Sequence, residues 1–169
     1  MDPMATTRQG PSASQRRRGR LEPISPLPQQ PNLGVLLFVA SRSMEVRILD
    51  AVVAAGYPVT LAQSKVFQRI ADDGSRLTEL AAAAEVTKQT AGYLVDQLEE
   101  RGYVERVPDP RDARARLVRL TALGREIVEV ARPVQQSIEA EWVEHLGLAR
   151  AQELYATLAE LRTITDPYA

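Results

Sequence analysis

Between Thr78 and Arg101 two short helical patterns stand almost end to end, and that spacing constrains the fold more than any other feature of the chain. Thr78 is placed to cap a brief Ala-rich helix from Glu79 to Ala84. Glu85-Val86 leaves room only for a tight turn, and Thr87 is a second N-cap. The helix it opens runs from about Lys88 to Arg101, with Ala91, Leu94, Val95 and Leu98 on one face and Gly102 placed to end it. Tyr103, Val104, Glu105, Arg106 and Val107 then alternate in character, a turn is expected from Pro108 to Ala113, and a second alternating run holds Leu117, Val118 and Leu120 among Arg114, Arg116 and Arg119. Two helices about a tight turn followed by a basic β-hairpin predict a winged helix-turn-helix lobe over residues 60–120.

The flanks are helical. Leu33, Leu36, Leu37, Ala40, Met44, Ile48, Val52 and Ala55 recur at helical spacing, and the segment stops at Gly56 before Pro58. A second helix is expected from Thr60, carrying Leu61, Val66, Phe67 and Ile70 as far as Asp73-Gly74. Thr121 opens a long helix through about Leu146, which Pro133 should kink or deprive of one hydrogen bond near Glu129. A last helix spans about Ala149 to Ile164, with Leu154, Leu158 and Leu161 on one face. The reading is mainly α with a small hairpin wing: a domain over 33–164 in which 33–57 and 121–164 form a helical platform. Residues 1–32 hold six of the eleven prolines and too little apolar surface to offset ordering entropy, so a disordered Arg/Pro-rich tail is expected there.

Composition removes several classes of function. There is no cysteine, hence no disulfide, thiolate metal site or thiol switch, and the single histidine, His145, leaves no His-rich metal constellation and disfavours a His-based triad. No cofactor is expected, and with no nucleophile–base set or phosphate loop, an enzyme is disfavoured. No apolar run approaches a membrane span, and the N-terminus does not read as a secretory signal, so an intracellular, cytoplasmic protein is expected. The net charge of −1 hides a local basic stripe: residues 106–119 carry five arginines against Asp109 and Asp112, while residues 120–169 carry four arginines against eight acids. Such a stripe suits one small face that meets a polyanion. Lys88, Gln89, Thr90 and Tyr93 lead the second helix of the pair, where glutamine can pair with adenine and lysine can donate to guanine. A hairpin arginine can enter the adjacent minor groove. Glu99, Glu100 and Glu105 are expected to pair with Arg101 and Arg106, and Trp142 and His145 to pack within the platform.

The run from Leu77-Thr78-Glu79-Leu80-Ala81 through Thr90-Ala91 and Leu94-Val95-Asp96-Gln97-Leu98-Glu99-Glu100-Arg101-Gly102-Tyr103-Val104 resembles the MarR (multiple-antibiotic-resistance regulator) family. Asp109-Pro110-Arg111-Asp112-Ala113-Arg114 and Leu120-Thr121-Ala122-Leu123-Gly124 continue the resemblance, which is strong over about 60–130. It implies a homodimer whose terminal helices interlock, a pseudo-palindromic double-stranded operator as partner, repression, and release by a small aromatic or anionic, often phenolic, effector. The alternative is a DNA-binding protein of the same fold with no small-molecule effector. By position, Lys88, Gln89, Thr90, Gly92 and Tyr93 match the groove-facing residues, and Thr78 the helix start that meets phosphate. Arg114 matches the wing-tip arginine with Asp112 as its orienting acid; Arg111 and Arg116 flank it, and Arg42, Arg47 and Arg69 are candidates for an anionic effector. Gly92 stands where a hydroxyl residue is frequent, Tyr93 where a polar or basic one is, and Glu85 where glycine is, so the operator preference should be this chain's own.

Overall fold

Residues 31–166 are described in the computed structural model. The expected tail at 1–32 therefore lies outside the described residues except for its last two. Of these, Asn32 opens the first helix by accepting the Val35 N–H at 3.0 Å. The elements run α1 (Leu33–Ala54), α2 (Leu61–Phe67), β1 (Ser75–Arg76), α3 (Leu77–Ala83), α4 (Lys88–Glu100), β2 (Val104–Asp109), β3 (Asp112–Leu120), α5 (Ala122–Leu146) and α6 (Leu148–Thr165). The three strands form one antiparallel sheet in the order β1-β3-β2.

One hydrophobic core holds the lobe together. Val66 and Phe67 of α2, Leu80 of α3, and Leu94, Val95 and Leu98 of α4 meet Tyr103, Val104 and Val118 of the hairpin, with Val52 and Ile127 closing it from α1 and α5. The apolar spacing at 91, 94, 95 and 98 is thus the buried stripe of α4, leaving its other face to solvent. Long α1 and α5 pack on each other, and α6 packs back on α5. They have little core of their own: Val52 is the one buried residue of α1, and α6 has none.

Several local expectations change. The second helix stops at Phe67 rather than reaching Asp73, because the chain must turn to deliver Ser75 and Arg76 into the sheet. Ser75 Oγ secures that turn by accepting the Ala71 N–H at 3.0 Å. Strand β1 itself is too short to leave any periodicity. The third helix begins two residues earlier than the Thr78 cap implies; its N-cap is Arg76, whose N–H donates to Glu79 Oε2 at 2.9 Å, and Thr78 lies inside the first turn. The hairpin turn shrinks to Pro110-Arg111, since Pro108 and Asp109 continue β2 and β3 starts at Asp112. Pro133 is exposed and α5 runs on through it.

Two junctions show how tightly the lobe is tied. Thr121 caps α5 by accepting the Gly124 N–H at 3.0 Å, and its hydroxyl donates to Gly102 O at 2.6 Å. This draws the start of α5 so close to the end of α4 that a Cβ on Gly124 would lie 2.1 Å from Tyr103 O. Between α3 and α4, Glu85 holds φ at 55°, a left-handed turn that costs an L-residue about 1–2 kcal/mol. The α3–α4 angle depends on that turn, and the resemblance to a family with glycine there had pointed to it.

Candidate DNA-binding interface

Helix α4 is built to present its first two turns. Thr87 Oγ1 accepts the Thr90 N–H at 3.0 Å and lies 2.8 Å from the Thr90 hydroxyl, satisfying the helix start without covering it. Lys88, Gln89 and Thr90 are exposed, Tyr93 is 62% exposed, and Gly92 lies between them, half-buried. Apart from Gly92 these residues are open to solvent, and Thr78 is exposed on the neighbouring helix α3. Two acids on the flank of α4 anchor the hairpin: Arg106 of β2 pairs with Asp96 at 2.6 Å and with Glu99. Of the expected ion pairs, Arg106–Glu99 is present, while Arg101 instead donates to Pro58 O and Gln63 Oε1, both at 2.8 Å.

The wing departs from simple alternation at the point that matters. Its register pairs Pro108 with Arg116 and then Asp109 with Asp112, so residues 113–115 have no partner across the ladder. Arg114 sits in the middle of that bulge, and the rule that residues two apart share a face does not apply there. The expected Asp112–Arg114 side-chain pair is absent among the described residues. Asp112 Oδ1 accepts the backbone N–H of Arg114 at 3.0 Å instead, and its Oδ2 lies 3.8 Å from Arg76 Nη2. The carboxylate thus holds the backbone under Arg114 and leaves the guanidinium exposed, together with those of Arg111 and Arg116.

Sequence reasoning missed the residue that organises this tip. Asp109 has no exposed side-chain surface; its Oδ2 accepts Arg76 Nε at 2.9 Å and Nη2 at 2.6 Å, and its Oδ1 accepts the Arg111 N–H at 2.8 Å. The Arg111 backbone donor, followed by the Arg76 guanidinium, holds the Asp109 carboxyl below the usual carboxylate range. One buried carboxylate therefore joins the N-terminus of α3 to the wing turn. Its only signal in the sequence is the acid three places before Asp112, and nothing linear connects it to Arg76.

The three effector candidates are not brought together. Arg47 is engaged by Glu141 of α5 through two bonds of 2.7 and 2.6 Å, which lowers the Glu141 carboxyl and raises Arg47 further. Arg42 and Arg69 line a cleft of about 380 Å³ with Lys65, Phe38, Glu45 and Glu85. Beside it a larger cavity of about 650 Å³ opens between α1, α2 and α5. Met44, Ile48, Val52, Phe67, Ile70 and Ile127 are among its apolar walls, and Arg69, Asp72 and Arg132 among its polar ones. Trp142 is half-buried in α5, whereas His145 is exposed. Among the described residues no helix is long and apolar enough to cross a membrane, and no acid or histidine cluster could hold a metal ion.

A helix-turn-helix pair with an open second helix, flanked by an arginine-bearing hairpin, defines a winged-helix DNA-binding regulator. The sequence profile of the MarR family matches residues 57–115. The chain is 38% identical over 101 residues to the transcriptional regulator HosA of Escherichia coli O111:H-, spanning 59% of this chain and 74% of HosA. Apo MarR of E. coli superposes with a TM-score of 0.63 at 26% identity, over 77% of this chain and 96% of MarR. The repressor CouR bound to a 23-mer DNA duplex superposes at 0.62 and 27% identity, over 81% and 99%. CouR of Rhodococcus jostii RHA1 with p-coumaroyl-CoA, at 24% identity and a TM-score of 0.63 over 84% and 97%, is alike in fold. The chain belongs to the MarR family of transcriptional regulators.

Proposed function

We propose that this chain is a cytoplasmic, homodimeric repressor that binds a pseudo-palindromic operator and is released by a small anionic or phenolic ligand. In this reading Gln89 and Tyr93 meet base edges in the major groove, and Lys88, Thr90 and Thr78 meet base or phosphate. Arg114 enters the adjacent minor groove with Arg111 and Arg116 on the backbone. The observation that carries the reading is the joint exposure of the α4 leading turns and the three wing arginines on a lobe that buries the opposite, apolar face of α4. A dimer is supported by apolar surface with no core to enter: Phe38 and Val39 of α1, and Tyr155 and Ile164 of α6, are 65, 58, 77 and 82% exposed.

Ligand control is supported by the cavity of about 650 Å³, whose walls come from both the platform and the DNA lobe. A molecule seated there has contacts that depend on how the two parts are arranged, which is what a change in DNA affinity requires. CouR, seen both on DNA and with p-coumaroyl-CoA, is a relative in which both kinds of partner are known.

The test is selection of bound duplexes from a random pool, followed by titration of the recovered operator with salt. Gln89→Ala should relax base preference, whereas Arg111→Ala should weaken all duplexes alike and lower the salt slope by about one. Unchanged preference and slope in both would refute the interface. A thermal-shift screen of aromatic acids then separates a ligand-relieved repressor from a constitutive regulator: a ligand should raise the melting temperature and lower operator affinity together.

A further inference from the structure

Tyr93 is tied into a chain of side-chain amides, and the direction of every bond in that chain follows from two donors that cannot be reversed. Gln63, on α2, is 1% exposed. Its amide atom labelled Oε1 lies 2.9 Å from the backbone N of Thr60 and 2.8 Å from Arg101 Nη1. A backbone N–H and a guanidinium can only donate, so the atom between them is the oxygen. The other end of Gln63 is then its NH₂ group, which donates to Gln97 Oε1 at 2.9 Å. That assigns Gln97 in turn: its Nε2 donates to the Tyr93 hydroxyl oxygen at 2.9 Å. The phenol oxygen is an acceptor towards the protein, and its own proton has to turn away from Gln97, on a ring that is 62% exposed.

We propose that Tyr93 reads DNA as a hydrogen-bond donor of fixed polarity, set by the Thr60–Gln63–Gln97 relay. The inference rests on the reading that α4 faces the major groove. It adds what Tyr93 recognises there: a base edge that accepts, such as guanine O6 or N7, adenine N7 or thymine O4. Cytosine, which offers its N4 amine in the major groove, is disfavoured. A free tyrosine could rotate its hydroxyl to suit either kind of edge. Here, turning the proton inward would set it against the Gln97 NH₂ group, and reversing Gln97 would set two NH₂ groups against each other at Gln63. Gln97 is thus a positioning residue that acts through Tyr93, and Gln63 is its buried anchor.

The test is sequencing of duplexes selected from a random pool by the full chain, for the native protein, Tyr93→Phe, Gln97→Glu, the double variant and Gln89→Ala. The native protein should exclude cytosine at one position of each half-site. Tyr93→Phe keeps the ring but loses the donor, and should relax that exclusion about tenfold. In Gln97→Glu the new carboxylate still accepts from Gln63 and now also accepts the phenol proton, so the outward oxygen becomes an acceptor and cytosine should become favoured. Placed on Tyr93→Phe, the same change should alter overall affinity only, which a purely structural role for Gln97 would not produce. If Tyr93→Phe keeps the native preference while Gln89→Ala changes it, the inference is overturned and α4 remains the reader. If neither changes preference, both fall. An equal loss on every duplex in Tyr93→Phe would locate the acceptor on phosphate and overturn the base assignment.

Discussion

Two helical glycines, Gly92 and Gly124, should respond in opposite directions to the same added methyl group. At Gly92 in α4, a Cβ would meet only Leu77 Cδ2 at 3.7 Å, ordinary van der Waals contact. The helix gains alanine propensity there, about 0.8–1 kcal/mol. At Gly124 in α5, the Cβ would lie 2.1 Å from Tyr103 O, so the start of α5 must retreat by more than an ångström. That retreat breaks the bonds of Thr121 to Gly102 O at 2.6 Å and to Tyr103 O at 3.2 Å, together with the Thr121 N–H bond to Tyr103 O at 3.1 Å. Three hydrogen bonds at about 1 kcal/mol each, less the propensity gain of about 1, leave a net loss of about 2 kcal/mol before any disturbance of the buried Tyr103 ring. The assay is urea unfolding of both variants at one fixed protein concentration, because association shifts apparent stability. Gly92→Ala should be the more stable by about 3 kcal/mol, summing the two effects. Equal stability of the two variants would refute the claimed contact at the α4–α5 junction.

Three further outcomes are expected. Asp109→Asn should weaken operator binding about as much as Arg114→Ala, while Arg116→Ala weakens it less; salt-matched titrations compare them. The Asp109 carboxyl is depressed in the folded state by the Arg111 N–H and by Arg76, so the stability it contributes is present above its ordinary value of 3.8 and is lost as pH falls through the lower native value. The stability gap between the native protein and Asp109→Asn should therefore be constant above about pH 5 and close in acid; a gap that widens in acid would contradict the ion pair. Leu158→Arg, at a position 40% exposed in the single chain, should shift sedimentation from dimer to monomer or unfold the protein; an intact dimer would remove α6 from the interface.

The lobe was legible because its elements are encoded locally. Caps at Thr60, Thr87 and Thr121, the apolar spacing of 91, 94, 95 and 98, and the left-handed stop at Gly102 each act over fewer than a dozen residues, and each leaves a pattern in the chain. For the same reason the open face of α4 could be named in advance: the buried stripe of a helix specifies its exposed stripe. What escaped was non-local. Strand β1 is two residues long and exists only because β3 offers it an edge. The bulge at 113–115, where the Asp112 carboxylate meets the backbone of Arg114 and not its guanidinium, depends on where the two strands fall in register.

The amino-acid sequence by itself determined the helix pair of the lobe, its basic wing and the family it joins, since all of these follow from short-range periodicity and turn chemistry. Tertiary structure alone decided the polar assignments. Asp109 meets Arg76 across 33 residues, and Gln63 meets Gln97 across 34. The cavity beneath the lobe exists only once α1, α2 and α5 stand at their distances. A buried hydrogen bond is a statement about two groups brought within 3 Å by the whole fold, and no window of sequence contains that distance.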